Sequence, residues 1–306
     1  MVEPLKQEAG FGISAVERDT GLSKDTLRIW ERRYGFPLPA RDHYGERLYL
    51  PKDVEKLRLL KRLLDRGHRP GRLMAMDVKE LAALAVPSAE AREAEAPAAH
   101  VAEFLERLKA HDAQGLRNYL SQALARQGLQ RFVDETVAPL NAAIGEGWER
   151  GGIEVYEEHL YTEQVQRILR SAILGLPAPR PEPSILLTTL PGEQHGLGLL
   201  MAEAVLSVEG ANCVCLGVEV PVPDIAQAAL RHGAHVVGLS FSMAFPVTGV
   251  AEGLQNLRTL LPPTVALWAG GRGVAHVKRR VPGVELVSGL RSLIARYQAW
   301  AAPQGQ

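Results

Sequence analysis

Residues 184–205 read SILLTTLPGEQHGLGLLMAEAV. The apolar run Ile185–Leu190 predicts a strand, and apolar spacing across His195–Val208 predicts a helix. The alternation continues downstream, with strands predicted at Cys213–Val218, Val236–Phe241, Val265–Ala269 and Val284–Val287 and helical stretches such as Ile225–His232 between them. Fully apolar strands alternating with helices place a doubly wound, Rossmann-like parallel sheet, covered on both faces, at residues 181–306.

The loop between the first strand and its helix carries chemistry. Glu193, His195 and Gly198 form E-x-H-x-x-G. A histidine on such a loop, with a carboxylate two residues back, suits a metal ligand oriented by a second partner. Gly196 and Gly198 remove side chains where a large flat ligand would approach. Taken alone, the same motif also reads as a histidine near a helix N-terminus with no ligand. Two later features favour the ligand. Ser240 and Ser242 interrupt VVGLSFSM, and Gly270 and Gly271 end the strand of LWAGGRG. Both lie at carboxyl ends of parallel strands, the edge where open α/β sheets bind ligands.

Upstream, residues 86–99 are mostly Ala, Glu, Pro and Ser with no large apolar side chain, which predicts a linker between a basic module at 1–85 and a helical section at 100–180. In that section Val101, Phe104, Leu105 and Leu108 follow helical spacing. The whole chain of 306 residues is 46% hydrophobic and 23% charged, which excludes wholesale disorder. Net charge is zero, yet Lys24 to Arg72 holds 14 Lys/Arg against 7 Asp/Glu. Cys213 and Cys215 make no disulfide framework and imply a reducing compartment. The N-terminus has no signal-peptide pattern, and no window reaches 18 apolar residues, so the expected location is cytoplasmic, without a membrane partner.

In the basic module, Ile13, Val16 and Leu22 are spaced to pack one short helix on the next, with Thr20-Gly21 at the turn and Ser23 as a cap. The second helix would present Thr26, Arg28, Arg32 and Arg33 and stop at Pro37 and Pro39, while Trp30 is spaced for the core. Residues 41–47, with basic and aromatic side chains around Gly45, predict a hairpin wing. Such an arrangement places its second helix in the DNA major groove. The stretch TLRIWERRYGFPLPARDHYGERLY at 26–49 resembles the winged helix-turn-helix of MerR-family transcription regulators. The resemblance implies promoter binding as a dimer or higher oligomer, with Thr26, Arg28, Arg32, Arg33, Tyr34, Arg41, His43, Tyr44 and Arg47 at the double-stranded DNA. Glu46 stands where wings of this family carry a histidine.

The second half resembles the cobalamin-binding domain of methionine synthase and adenosylcobalamin-dependent mutases, whose hallmark is D-x-H-x-x-G, S-x-L and a Gly-Gly. Glu193 replaces the Asp, and Ser242 the Leu. The resemblance implies that His195 is the lower axial cobalt ligand and that Ser240, Gly270 and Gly271 line a slot for the displaced nucleotide tail. Residues 145–163, GEGWERGGIEVYEEHLYTE, place Glu158-His159 after nine residues that follow Trp148, similar to the W-x9-EH signature of the CarH-type light-sensing repressors. That implies a four-helix bundle over the upper face of the cofactor, with Trp148, Glu149, Glu158 and His159 beside it. Where photosensing members carry a histidine after the tryptophan, this chain has Glu149.

Together these resemblances imply a non-enzymatic repressor that senses adenosylcobalamin, with cobalt, and responds to green light by changing its oligomeric state. A light-independent regulator controlled by cobalamin or a partner stays open because of Glu149. A corrinoid methyl carrier fits less well, having no use for residues 13–72.

Overall fold

The computed structural model describes residues 10–42, 44–65, 68–85, 99–277 and 281–301. His43 and all of the expected linker except Ala99 lie outside them. The chain divides into two compact units, residues 1–96 with 145–155 and residues 97–144 with 156–306.

In the first unit, β1 (Phe11–Gly12) leads into α1 (Ile13–Thr20) and α2 (Lys24–Tyr34). Gly21, at φ 68°, turns the chain between these helices, and the Ser23 side chain accepts the Thr26 N–H as the N-cap of α2. α2 stops at Gly35, whose φ of 67° returns its N–H to the Glu31 carbonyl. A left-handed glycine therefore ends the helix before the prolines expected to do so are reached. The wing is β2 (Ala40–Arg41) paired antiparallel with β3 (Arg47–Tyr49), and β1 adds a third strand opposite β3. Two residues are too few to show a period, so β1 leaves no trace in the hydrophobic pattern. α3 (Pro51–Asp65), α4 (Pro70–Leu73) and α5 (Val78–Ala85) follow. Val16, Leu22, Leu27, Trp30, Tyr49 and Leu60 form one buried core, as the spacing required of Trp30.

The second unit begins with helices α6 (Ala99–Lys109), α7 (Ala113–Gln127) and α8 (Leu129–Phe132). A π turn (Val133–Val137) leads into α9 (Ala138–Glu149), followed by α10 (Val155–Leu174), with residues 145–155 assigned to the first unit. Phe104 meets Tyr119 and Tyr161 edge-on at 5.5 and 5.8 Å. The fully buried Tyr161 hydroxyl donates to the Val137 carbonyl at 3.3 Å, satisfying an acceptor at the end of the π turn. Burial raises the phenol's pKa.

The sheet strands are β4 (Ser184–Thr188), β5 (Asn212–Gly217), β6 (Val236–Ser240), β7 (Ala266–Gly270) and β8 (Val284–Leu286). All pair in parallel, in the order β5-β4-β6-β7-β8. Their connections are α11 (Leu197–Val208), α12 (Val222–Arg231), α13 (Val247–Leu260), a 3-10 turn (Arg272–His276) and, after β8, α14 (Leu290–Ala301). Ile185, Leu187, Val236 and Trp268 share one buried cluster with Leu199 of α11 and Tyr297 of α14. Leu186, Val237, Leu239 and Leu267 share the other with Ile225 of α12 and Leu254 of α13. This is the expected doubly wound architecture, with each strand's bounds within two residues of the sequence reading. β4 connects outward to β5 while β6 lies on its other side, so the switch point falls between β4 and β6. Helices α8 and α11 pack together, and Arg291 at the start of α14 pairs with Asp134 of the π turn at 2.7 Å. Cys213 and Cys215 are free thiols on β5, and burial raises both pKa values, Cys213 to about 12. Among the described residues no helix is long and apolar enough to cross a membrane.

Candidate functional site

The carboxyl ends of β4 and β6 bring together Glu193, His195 and Ser242. Helix α11 begins at Leu197, two residues later than its spacing suggested, so His195 stays in the loop. The cause is Glu193, only 1% exposed, whose Oε1 accepts the His195 N–H at 3.0 Å and lies 2.7 Å from His195 Nδ1. Ser242 donates its N–H to Glu193 Oε2 at 2.7 Å and its hydroxyl at 2.9 Å, and that hydroxyl lies 3.1 Å from His195 Nδ1. Burial pushes the Glu193 carboxyl up, but hydrogen bonds from the His195 side chain, the Ser242 N–H and the His195 N–H outweigh it. The carboxyl is held below its ordinary value.

An ionised Glu193 fixes the imidazole through Nδ1, which assigns Nε2 as the nitrogen a metal would take. The His195 side chain is 60% exposed at the sheet edge. Thr189, fully buried, braces the loop by donating its hydroxyl to the Glu193 carbonyl at 2.7 Å. Neither Thr189 nor the bracing role of Ser242 was legible in the sequence: Ser242 reaches Glu193 from another element, and Thr189 carries no pattern that marks its hydroxyl as buried.

Close approaches surround the histidine loop. A Cβ on Gly198 would lie 2.8 Å from Ser240 Oγ, and one on Gly196 would lie 3.2 Å from a Val218 methyl. Gly271, at φ 94°, admits the Phe241 carbonyl, which a Cβ would approach to 2.2 Å, so backbone packing alone accounts for it. Gly270 is different, since its Cβ would meet nothing closer than 3.6 Å. On the same face as Ser240, Gly238 is the register neighbour of Trp268, whose indole Nε1 is buried without a hydrogen-bond partner. A histidine positioned by a carboxylate, small residues beside it and a buried indole N–H without a partner together fit a corrinoid, whose cobalt could take an imidazole nitrogen. Among the described residues no group of three His, Cys, Asp or Glu could hold a metal by itself.

In the helical section, Trp148 is half-buried in the last turn of α9 and its carbonyl accepts the Gly151 N–H. The side chain of Glu149 lies outside the described residues. On α10, Glu158 accepts from the Thr162 hydroxyl at 2.7 Å and lies 3.1 Å from Nδ1 of the exposed His159.

On the basic module, Arg28, Arg32, Arg33, Arg41 and Tyr44 are exposed, while Thr26, Tyr34 and Arg47 are half-buried. Arg28 pairs with Asp25 at 3.1 Å, and Arg33 stacks over the Tyr34 ring at 5.3 Å. At the wing tip, Asp42 Oδ1 accepts the N–H groups of Tyr44 and Glu46, holding Tyr44 81% exposed. Arg47 forms an ion pair with Glu31 of α2 at 2.9 Å, which ties the wing to the helix. Ile29 was passed over by the sequence reading, yet it stands 47% exposed on α2 among these arginines. A helical wheel of residues 24–34 places it there.

Three family models match the chain: the MerR HTH family regulatory protein at residues 11–75, and B12 binding domains at 101–172 and 183–288. The HTH-type transcriptional repressor CarH of Myxococcus xanthus is 31% identical over 86% of this chain and 89% of its own length. CarA of the same organism, also an HTH-type transcriptional repressor, is 30% identical over 87% and 88%. The monomethylamine corrinoid protein of Methanosarcina barkeri shares the fold at a TM-score of 0.51 and 15% identity, over 65% of this chain and 96% of that one. The chain belongs to the CarH/CarA family of MerR-type transcriptional regulators with B12-binding domains, a family of regulators rather than enzymes.

Proposed function

We propose that this chain is a cytoplasmic, DNA-binding transcriptional repressor that senses adenosylcobalamin, with residues 1–85 on promoter DNA and residues 100–180 and 181–306 holding the cofactor. The observation that carries this reading is the cluster of Glu193, His195 and Ser242 at the sheet's switch point. Bound adenosylcobalamin would supply a cobalt centre able to take an imidazole nitrogen, and a Co–C bond that light can cleave.

The residues of the chain do the rest. His195 would offer Nε2 to the cobalt, with its ring held by Glu193, which Ser242 braces. Ser240, Gly270 and Gly271 would line the slot for the displaced tail. Trp148, Glu149, Glu158 and His159 would contact the cofactor from the helical section. Loading of the site sets the self-association of the chain and, through it, the hold on DNA. That shift is limited to the difference in cobalamin affinity between the two assembly states.

Size-exclusion chromatography of the loaded protein, in the dark and after green light, tests this. The photosensing reading expects a large dark species, a tetramer in this family, that dissociates on illumination. A second reading is favoured by Glu149, since a carboxylate would hold a cobalt ion less well than an imidazole. It expects an assembly that depends on cobalamin and keeps its size in light.

A further inference from the structure

The loop after β5 holds a strained residue that the cobalamin motifs do not include. Glu219 has φ 58°. Among the described residues the other non-glycine with positive φ is His111, which lies just beyond the end of α6, where that conformation is ordinary. Glu219 has no such excuse, because it stands in a loop at the carboxyl edge of the sheet. For a residue with a Cβ, the left-handed region costs free energy and persists only where the surroundings impose it.

Here they do. The Glu219 N–H donates to Thr189 Oγ1 at 2.9 Å, the Val220 N–H to the Thr189 carbonyl at 3.1 Å, and Thr188 Oγ1 to the Gly217 carbonyl at 3.0 Å. Thr188 and Thr189 are fully buried. The Thr189 hydroxyl that accepts from Glu219 is the one that braces Glu193, so a single buried side chain anchors the Glu219 loop to the His195 loop. Val218 closes the gap between them against Gly196. The Glu219 side chain is exposed and has no ion-pair partner among the described residues. A glycine would occupy this backbone without strain, and the chain instead carries a carboxylate.

We infer that Glu219 is a cobalamin-binding residue whose carboxylate accepts hydrogen bonds from a primary amide on the rim of the corrin ring. The rim amides are N–H donors, and a carboxylate is an acceptor only, so the pairing is charge-assisted. The assignment rests on the cobalamin reading above and extends it from the axial ligand to the periphery of the ring.

Two variants of the full chain test it: Glu219→Gln, which keeps the strained backbone and removes the charge, and Glu219→Gly, which removes both. Absorbance titration with cobalamin in the dark is expected to give a Kd about tenfold weaker for both variants than for the parent chain. The cofactor-free Glu219→Gly protein is expected to melt about 2 °C higher, because the backbone strain is gone. A Glu219→Gln protein that binds cobalamin as tightly as the parent overturns the assignment and leaves the cobalamin reading standing. A parent chain that takes up no cobalamin removes both.

Discussion

The carboxylate of Glu193 grips both the ring and the backbone of His195, with Oε1 2.7 Å from Nδ1 and 3.0 Å from the main-chain nitrogen. The buried acid therefore decides which way the imidazole faces before any ligand arrives. Partners of this kind typically change metal affinity by about 10–100-fold when altered. Glu193→Gln is expected to weaken cobalamin binding by that order in an absorbance titration.

The same carboxyl sets an acid limit. Its folded pKa lies below the ordinary value of 4.5, so its ionisation contributes stability that is present above that pH and is lost as pH falls through the folded value. The melting temperature of the cofactor-free parent protein should fall more steeply below about pH 4.5 than that of Glu193→Gln. Parallel acid profiles would contradict the hydrogen-bonded, ionised state of Glu193.

Neighbouring glycines should part company. Gly271→Ala drives a Cβ into the Phe241 carbonyl from a positive φ, and is expected to cost about 2–4 kcal/mol in denaturant unfolding. Gly270→Ala meets nothing closer than 3.6 Å and should leave stability within about 0.5 kcal/mol. If Gly270 lines the slot for the tail, the same substitution should still weaken cobalamin binding, which dialysis against the cofactor would detect.

Two arginines of the DNA-binding module should differ in what they report. Arg28→Ala is expected to weaken promoter binding and reduce the salt slope by about one, with an unchanged melting temperature. Arg47→Ala breaks the pair with Glu31 and should also destabilise the module, by about 0.5–1 kcal/mol. Fluorescence anisotropy across a salt series, beside thermal melts, separates the two.

Glu149→His should create or strengthen a light response. If the carboxylate is what prevents it, the parent protein keeps its size on a column after green light and the variant dissociates. Dissociation of the parent itself would show that Glu149 is compatible with switching.

The fold was legible wherever a local pattern determines it. The apolar runs of the five sheet strands and the spacing of Leu27 and Trp30 require only a period. The motif residues Glu193 and His195 were legible too, because they lie two apart in one loop. What the sequence concealed crosses between elements. Thr189 reaches from one loop to the next, Arg47 turns back to Glu31, and Gly271 is explained by a carbonyl thirty residues earlier. The stop at Gly35 was concealed differently, behind two prolines that give a louder signal for the same event.

The most direct measurement is the absorbance spectrum, after gel filtration in the dark, of the protein incubated with adenosylcobalamin, for the parent chain and for His195→Ala. With His195 as the lower ligand, the parent retains about one cobalamin per chain and His195→Ala retains none, or retains it with a changed spectrum. Equal retention with the same spectrum in both proteins would contradict the account.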